Sequence, residues 1–259
     1  MRLHTDVCGA GLELVLVHGW GMHGGIWEDW VAELGQWFHV TAVDLPGHGN
    51  SAWAGQSELR EWARAVHDAV PENAWWVGWS LGGLVTLAAA AQASARMRGM
   101  LLLAATPRFA HAPDWPYGMD VPVLEQFGRQ LETDSERTLA RFLSLQVRGS
   151  RSGVRQLRQL HAAMATRPPA HPAALRTGLR FLQQADLRDI LAGTGLPVRW
   201  LLGERDTLVP VSVSGAFPHI PVRRVPAAGH VPFLSHTQLC SDAIRHWLLD
   251  SGQDVHATG

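Results

Sequence analysis

Short apolar runs recur along the chain and alternate with segments long enough to form helices. The runs that we interpret as strands are residues 12–17, 38–43, 74–79, 100–105 and 198–202, and the early helix-length segments are residues 26–35, 57–70 and 81–93. Apolar runs of this length are typical of strands that are buried on both faces of a sheet. Their alternation with helices predicts an α/β protein with a mostly parallel sheet and helices on both faces.

The alternation stops after Thr106. From about residue 109 to residue 185 we find no convincing strand, only helical segments separated by proline and glycine, as in RPPAHP at 167–172. Strand and helix alternate again from LPVRWLLG at 196–203 onwards. We therefore predict one α/β core formed by residues 1–108 and 186–259, with residues 109–185 inserted into it as a helical cap.

Composition narrows the class of protein. Apolar residues make up 46% of the 259 residues, charged residues 17%, and the formal net charge is −1, which is typical of a globular protein and does not favour a role on nucleic acid or on a membrane surface. Two cysteines, Cys8 and Cys240, are too few for a disulfide framework. The N-terminal apolar run is too short for a signal peptide, and no run approaches the roughly 18 apolar residues of a membrane span. We expect a cytoplasmic monomer that binds neither nucleic acid nor membrane.

The segment GWSLGG at 78–83 joins a strand-like run to a helix-like segment. A tight turn that needs small residues is one interpretation of it. Ser80, however, lies in the pattern G-x-S-x-G with a strand before it and a helix after it, which is the context of a nucleophile elbow. Gly78 and Gly82 allow the close backbone approach that such a turn requires, and the N–H groups of the next helix point toward negative charge. Ser80 is therefore the predicted nucleophile.

A serine nucleophile needs a base and a group that orients the base. Asp206 lies in ERDTLVP, directly after the strand VRWLLG, and His230 lies in the glycine-flanked loop of VPAAGHVPFLSH. Because active sites of open parallel sheets collect at the carboxyl ends of strands, we predict these two residues as carboxylate and base. Glu204 and His236 are their neighbouring alternatives, and we expect His236 inside the last helix. Asp44 in VDLPGHG is a rival carboxylate after an early strand.

The tetrahedral oxyanion of acyl transfer needs preorganised N–H donors. Leu81, the residue after the nucleophile, is expected to supply one backbone N–H. The second donor is expected from HGWG at 18–21, the loop after the first long strand, where we choose the N–H of Trp20. On its own His18-Gly19 would fit a simple turn equally well, but a nearby elbow favours an oxyanion loop.

In order along the chain, HGWG, DLPGHGNS, GWSLGG, GERDTLVP and AAGHVPFLSHT resemble the α/β-hydrolase superfamily, whose triads follow the order serine, acid, histidine. The resemblance spans the whole chain and implies an α/β-hydrolase fold with Ser80, Asp206 and His230 as triad, an order that Asp44 would break. WGM, GWSLGGL, DWP and RTLARFLSLQ at 137–146 are similar to a narrower family, the carboxylesterases that act on pimeloyl-[acyl-carrier protein] methyl ester in biotin synthesis. That similarity implies release of methanol and of pimeloyl-carrier protein.

The narrower resemblance also implies the residues that contact substrate. They are Trp20, Ser80, Leu81, His230 and the stretch Phe142, Leu143, Ser144, Leu145 and Gln146. At about 100° per helical residue, Phe142, Leu143 and Gln146 share one face with Leu139. Arg137, Arg141 and Arg148 fall on the other face. Such a glutamine is often only a packing residue, but above a catalytic mouth this lining suits an aliphatic chain that ends in an ester.

Positive charge is concentrated in the predicted cap. Residues 137–185 hold nine of the 22 basic residues and no acidic residue, so the remainder of the chain carries 13 basic against 23 acidic residues. A basic cap above the site would steer an acidic partner toward it. No nucleic-acid module is evident, whereas an acyl carrier protein, whose family is acidic, fits both the charge and the resemblance. We predict that Arg137, Arg141, Arg155 and Arg158 contribute to carrier docking. A merely solvated arginine-rich face is the alternative.

Together these features predict a serine carboxylesterase that works through an acyl-enzyme and needs no cofactor. The fourteen histidines include no HExxH pattern, so we expect no metal site. Acyl carrier protein is the expected acyl donor, and small esters are expected substrates as well. One alternative is a general short-chain carboxylesterase or a carbon–carbon bond hydrolase with the same triad. An alternative of another class is a hydrolase-fold binding protein with vestigial turnover.

Overall fold

The computed structural model describes residues 2–249, and its centre is a seven-stranded sheet. In chain order the strands are β1 (Thr5–Cys8), β2 (Leu12–Val17), β3 (Phe38–Val43), β4 (Ala74–Trp79), β5 (Met97–Leu103), β6 (Val198–Gly203) and β7 (Val222–Val225). Their spatial order is β1-β3-β2-β4-β5-β6-β7, and β1 alone runs antiparallel to its neighbour, β3. The predicted strands correspond to β2 through β6.

Helices cover both faces of the sheet. They are α1 (Glu28–Leu34), α2 (Leu59–His67), α3 (Leu81–Ala93), α4 (Val121–Thr133), α5 (Ser135–Gln146), α6 (Gly153–Met164), α7 (Pro172–Gln184), α8 (Arg188–Gly193), α9 (Pro232–Ser235) and α10 (Thr237–Leu249). In β2, Leu14 and Leu16 point into a core shared with α1 and α10, and Val15 and Val17 point into a core shared with α2 and α3. All four side chains are fully buried. The apolar run from Leu14 to Val17 therefore reflects burial on both faces, and the α/β prediction is confirmed.

The sequence analysis missed the two edge strands. β1 has the sequence TDVC and is half-buried to exposed, and β7 has the sequence VRRV with two exposed arginines. An edge strand has one partner and one wet side, so it does not need a continuous apolar run. β5 also begins three residues before the predicted run, where Arg98 is exposed.

Five helices, α4 to α8, follow one another between β5 and β6, and the first four of them lie within residues 109–185. Their boundaries have local causes: the Asp134 side chain accepts the N–H of Arg137 at the start of α5, and α4 and α7 each carry a proline in the first turn. Within the described chain this segment has two isolated bridges, at Ala110–Met119 and Ala112–Trp115, and no ladder strand. We use "cap" for residues 109–185; the division into core and cap stays a prediction.

Candidate active site

The connection from β4 to α3 holds Ser80 in a strained conformation. Its φ of 55° and ψ of −119° are unusual for a residue other than glycine, and such strain persists where the surrounding structure imposes it. A Cβ at Gly82 would lie 2.2 Å from the Val17 carbonyl oxygen, and a Cβ at Gly78 would lie 2.5 Å from the Gly82 carbonyl oxygen. The Ser80 N–H donates to the Leu103 carbonyl at 3.1 Å, which fixes the turn against β5. The two glycines of G-x-S-x-G are therefore required because neighbouring backbone atoms leave no room for a side chain.

The structure brings Ser80, His230 and Asp206 into one hydrogen-bonded chain. His230 Nε2 lies 2.9 Å from Ser80 Oγ, and His230 Nδ1 lies 2.8 Å from Asp206 Oδ2. Because a carboxylate only accepts, Nδ1 carries the proton and Nε2 is free to accept the Ser80 hydroxyl hydrogen. The other Asp206 oxygen accepts the N–H groups of Leu208 and Val209 at 2.8 and 3.0 Å. This arrangement can activate a serine for attack on a carbonyl carbon.

The neighbouring alternatives do not take part in this chain. Glu204 is exposed on the surface, two residues before Asp206. His236 lies between α9 and α10, so its expected position inside the last helix is wrong. Its N–H donates to the Pro232 carbonyl at 2.8 Å, which closes α9, and its Nδ1 lies 2.8 Å from Ser235 Oγ.

Asp44, the rival carboxylate, is fully buried but has other partners. It accepts the backbone N–H groups of Gly24 at 2.6 Å and Asn50 at 2.8 Å. Arg167 Nη1 lies 2.8 Å from both Asp44 oxygens, and the same guanidinium pairs with Asp6. These contacts fasten the cap to the loops that follow β2 and β3.

The loop after β2 packs directly against the nucleophile. A Cβ at Gly19 would lie 3.2 Å from Ser80 Cβ. His18 Nδ1 donates to the Gly19 carbonyl at 2.8 Å, and its Nε2 accepts the Leu45 N–H at 2.9 Å. Burial holds the pKa of His18 well below its usual value, so the ring stays neutral and able to accept. Leu81 begins α3, where an N–H has no acceptor within the helix. An oxyanion role for the N–H groups of Trp20 and Leu81 stays a prediction.

Helix α5 has one buried face and one exposed face, as the helical spacing predicts. Leu139, Phe142, Leu143 and Gln146 are buried, whereas Arg137 and Arg141 are exposed, so the two-faced interpretation is confirmed for the residues of α5. Arg148 is exposed too, but it lies beyond the end of α5 at Gln146, so its predicted place on that helix is wrong. Within the same stretch, Leu145 is half-buried and Ser144 is exposed, with its hydroxyl donating to the Ala140 carbonyl.

Two contacts of the His230 backbone were missed by the sequence analysis. The His230 N–H donates to the Gln146 carbonyl at 3.0 Å, and Trp79 Nε1 donates to the His230 carbonyl at 2.9 Å. Trp79 precedes the nucleophile and is fully buried. A buried indole usually donates to an acceptor, so the place of Trp79 in the elbow was the available signal.

Two absences complete the description of the site. Between residues 2 and 249, no three side chains of histidine, cysteine, aspartate or glutamate are grouped so that they could hold a metal ion. Over the same residues, no helix combines the length and apolar character needed to cross a membrane.

The sequence pattern of the alpha/beta hydrolase family matches residues 14–243, a range that includes the elbow, Asp206 and His230. The chain belongs to the alpha/beta hydrolase family. This hydrolase is 42% identical over 255 residues to the pimeloyl-[acyl-carrier protein] methyl ester esterase of Methylococcus capsulatus, covering 97% of this chain and 100% of the relative. It is 40% identical over 250 residues to the esterase of the same name from Stenotrophomonas maltophilia, covering 95% and 96% of the two chains.

Solved structures support the fold of the hydrolase independently. The esterase EaEST from Exiguobacterium antarcticum superimposes with a TM-score of 0.82 at 18% identity, covering 95% of this chain and 94% of that one. A hydrolase from Oleispira antarctica gives a TM-score of 0.82 at 21% identity with the same coverage, 95% and 94%. The predicted α/β-hydrolase fold is confirmed.

Proposed function

We propose that this hydrolase is a cytoplasmic, monomeric carboxylesterase that cleaves the methyl ester of pimeloyl-[acyl-carrier protein] in biotin synthesis. The products are methanol and pimeloyl-[acyl-carrier protein]. The observation that carries the proposal is the Asp206–His230–Ser80 chain of hydrogen bonds in a protein that is 42% identical, over nearly its whole length, to an esterase named for this substrate. The geometry of the three side chains supports ester hydrolysis, and the name of the relatives supports the assignment of the substrate.

In the acylation step, Ser80 Oγ attacks the ester carbonyl carbon while its proton passes to His230 Nε2. The new bond pushes the carbonyl electron pair onto oxygen, where the backbone N–H groups of Leu81 and Trp20 stabilise the negative charge. His230 then protonates the departing methoxide. Methanol leaves, and the acyl group remains on Ser80.

In the deacylation step, water takes the place of methanol. His230 removes a water proton as the oxygen attacks the acyl carbon, and it returns that proton to Ser80 Oγ as the tetrahedral intermediate collapses. The released carboxylic acid then loses its remaining proton to solvent. Asp206 keeps the proton on Nδ1 and stabilises the imidazolium that forms twice in each cycle. The N–H groups of Leu208 and Val209 hold that carboxylate in place. One water is consumed for each ester, and no cofactor takes part.

The buried face of α5 is the proposed binding surface for the acyl chain. Phe142 and Leu143 offer apolar contact that suits a methylene chain. The Gln146 side chain is 1% exposed, and its Oε1 has no hydrogen-bond partner among the described residues. A buried amide without a partner is costly, so a polar group of the substrate would stabilise it. Trp20, Leu81 and the Phe142–Gln146 stretch are the proposed substrate contacts.

Carrier docking is assigned to four exposed arginines, Arg137, Arg141, Arg155 and Arg158. None of the four forms an ion pair within residues 2–249. Other cap arginines have partners within the molecule: Arg167 pairs with Asp44, and the exposed Arg180 donates to the Ser57 carbonyl. These four guanidinium groups have no acidic partner among the described residues and are therefore available to an acidic carrier.

Two of these arginines line a groove of about 680 Å³ on the outer side of α4 and α5. Arg141 donates to Gln130 Oε1 at 2.9 Å and lies 5.4 Å from the centre of the Phe127 ring. These contacts hold its guanidinium at the rim, beside Arg137. A preorganised cation loses less side-chain entropy when it binds a carboxylate.

The test is methanol release from the methyl ester of pimeloyl-[acyl-carrier protein], compared with free methyl esters. We expect a higher kcat/KM for the carrier substrate and a reaction that slows as salt rises. The double variant Arg141→Glu/Arg155→Glu should lower kcat/KM on the carrier about 10-fold or more and leave a small free ester within about 2-fold. The matched control Arg60→Glu/Arg64→Glu changes the net charge equally on exposed α2 positions and should leave both rates near wild type.

Other outcomes would favour the alternatives. Efficient turnover of free short-chain esters without carrier preference would favour a general esterase. Ligand binding without turnover of any ester would favour a binding protein. Elution from a sizing column well above the 28.3 kDa of one chain would contradict the monomer.

A further inference from the structure

The Trp20 side chain joins the oxyanion loop of the core to the cap. Its indole is fully buried, and Nε1 donates to the Leu175 carbonyl of α7 at 2.8 Å. The ring also meets Phe142 of α5 edge-on, with 4.9 Å between centroids. The backbone of Trp20 is therefore part of the core, whereas its side chain contacts two helices of the cap.

Gly178 of α7 makes room for this contact. A Cβ there would lie 2.8 Å from Trp20 Cδ1 and 3.1 Å from Leu81 Cδ2. Those two residues carry the proposed oxyanion donors. Gly178 lies inside α7, where alanine favours a helix more than glycine does. A glycine at position 178 is therefore not explained by helix formation. It is explained by the lack of space for a side chain beside Trp20 and Leu81.

The loop is confined on both sides. Toward the core, a Cβ at Gly19 would lie 3.2 Å from Ser80 Cβ. Toward the cap, Gly21 has a φ of +72°, and a Cβ there would lie 2.4 Å from Leu139 Cδ2 of α5. Packed atoms do not yield freely, so a shift of the cap helices displaces the loop that carries the Trp20 N–H.

We propose that helix α7 positions the oxyanion hole, and that Gly178 is the positioning residue through which it does so. Gly178 touches no reacting atom and acts through Trp20 and Leu81. The inference rests on the proposed function, since it takes their N–H groups to hold the oxyanion. Loss of one oxyanion donor costs about 100- to 1,000-fold in kcat, and displacement by about 1 Å can cost about 100-fold. Small changes beside Gly178 should therefore be visible in kcat.

The experiment compares Gly178→Ala with a matched control, Gly128→Ala in α4. A Cβ at Gly128 would lie 3.3 Å from Nε2 at the end of the flexible Gln183 side chain. Both variants replace a glycine inside a cap helix, so both gain helix propensity. On a chromogenic short-chain ester, Gly178→Ala should lower kcat about 10- to 100-fold and change KM less than about 3-fold. Gly128→Ala should keep both constants near wild type.

A transition-state analogue separates positioning from general disturbance. Ser80 Oγ adds to the carbonyl carbon of an alkyl trifluoromethyl ketone, the serine proton passes to His230, and the carbonyl electrons become an oxyanion. Gly178→Ala should weaken this adduct by about the same factor as kcat/KM, while the affinity for a product carboxylate stays unchanged. If Gly178→Ala does not fold, Trp20→Phe, which deletes the indole donor to Leu175 and keeps a ring, should lower kcat and weaken the ketone adduct together.

Three results would overturn the proposal: wild-type kcat in Gly178→Ala, equal losses in the two alanine variants, or a change confined to KM. Failure of the proposed function looks different, because wild-type enzyme would then fail to hydrolyse the chromogenic ester or would do so without Ser80.

Discussion

Two buried groups of a carboxylate and histidine lie at the carboxyl end of this sheet, and only the group of Asp206 and His230 is hydrogen-bonded to a serine among the described residues. Asp206 gives one oxygen to backbone N–H groups and the other to His230, whose far nitrogen reaches Ser80. Asp44 gives both oxygens to Arg167 and to backbone N–H groups. The hydrogen bonds of Asp206 lead through His230 to the Ser80 hydroxyl, whereas those of Asp44 lead to the Arg167 guanidinium.

The histidines around Asp44 are held by backbone groups. His18 bonds the Gly19 carbonyl, His23 lies 3.3 Å from the Met164 carbonyl, and His48 donates to the Pro46 carbonyl at 3.0 Å. Burial lowers the pKa of all three. Neutral rings bonded to carbonyls stabilise loops and cap contacts. What each carboxylate touches therefore decides its role, more than the kinds of residue nearby.

The largest effect is expected at the nucleophile. Ser80→Ala removes one oxygen from a turn whose glycines set its shape, so the circular dichroism spectrum should be unchanged. Ester turnover should fall about 10,000-fold or more, as when such a nucleophile is removed. Retention of more than about a hundredth of wild-type kcat would rule out Ser80 as the nucleophile.

Asn substitutions compare the two carboxylates directly. Asp206→Asn should cost about 10,000-fold in kcat, because the amide favours the wrong His230 tautomer and cannot stabilise the imidazolium. Asp44→Asn should lower kcat of the folded fraction less than about 10-fold, since Asp44 contacts neither His230 nor Ser80. The measurement is kcat corrected for the folded fraction. A greater loss in Asp44→Asn would reverse the assignment.

Arg167 tests the structural role of the second group. Arg167→Met leaves Asp44 buried without its cation and should lower the free energy of unfolding by about 3 kcal/mol. The control is Arg176→Met, whose 3.8 Å contact with Glu132 is exposed and should contribute less than about 1 kcal/mol. Urea unfolding of both variants checks this. Equal stability of the two would remove the fastening role of Arg167.

Acid should gradually reduce the contribution of the Asp44 group to the free energy of unfolding, through protonation of His48. Burial lowers the pKa of His48 to about 4 from 6.5, although the Pro46 carbonyl and Asp44 partly offset this. The unfolded chain then binds more protons between these values, so the stabilising contribution is full above pH 6.5 and is lost as the pH falls toward 4. His48→Phe, which keeps a ring beside Trp62, should reduce the slope of unfolding free energy against pH by up to about 1.4 kcal/mol per pH unit. An unchanged slope would contradict the assignment.

Local patterns predicted the parts of the fold that are local in cause. The runs of β2, β3 and β4 were found residue for residue because these strands are buried on both faces. The elbow was found because G-x-S-x-G between a strand and a helix is a local pattern, although the space that Gly82 leaves is filled by the Val17 carbonyl of β2. The edge strands β1 and β7 carry no such pattern.

Long-range polar partners could not be predicted from spacing. Arg167 meets Asp44 from 123 residues away, and Trp20 meets the Leu175 carbonyl from 155 residues away. Both contacts depend on where the cap lies. Asp44 therefore stayed a rival carboxylate until its partners were known.

The most direct measurement of the difference between the two groups is labelling with an alkyl fluorophosphonate, followed by peptide mass analysis. An activated serine displaces fluoride and forms a stable Oγ–phosphorus bond. The account predicts a single label on Ser80, none on Ser80→Ala, strongly slowed labelling of Asp206→Asn and near wild-type labelling of folded Asp44→Asn. A label on another residue, continued labelling of Ser80→Ala, or slowing by Asp44→Asn in place of Asp206→Asn would contradict it.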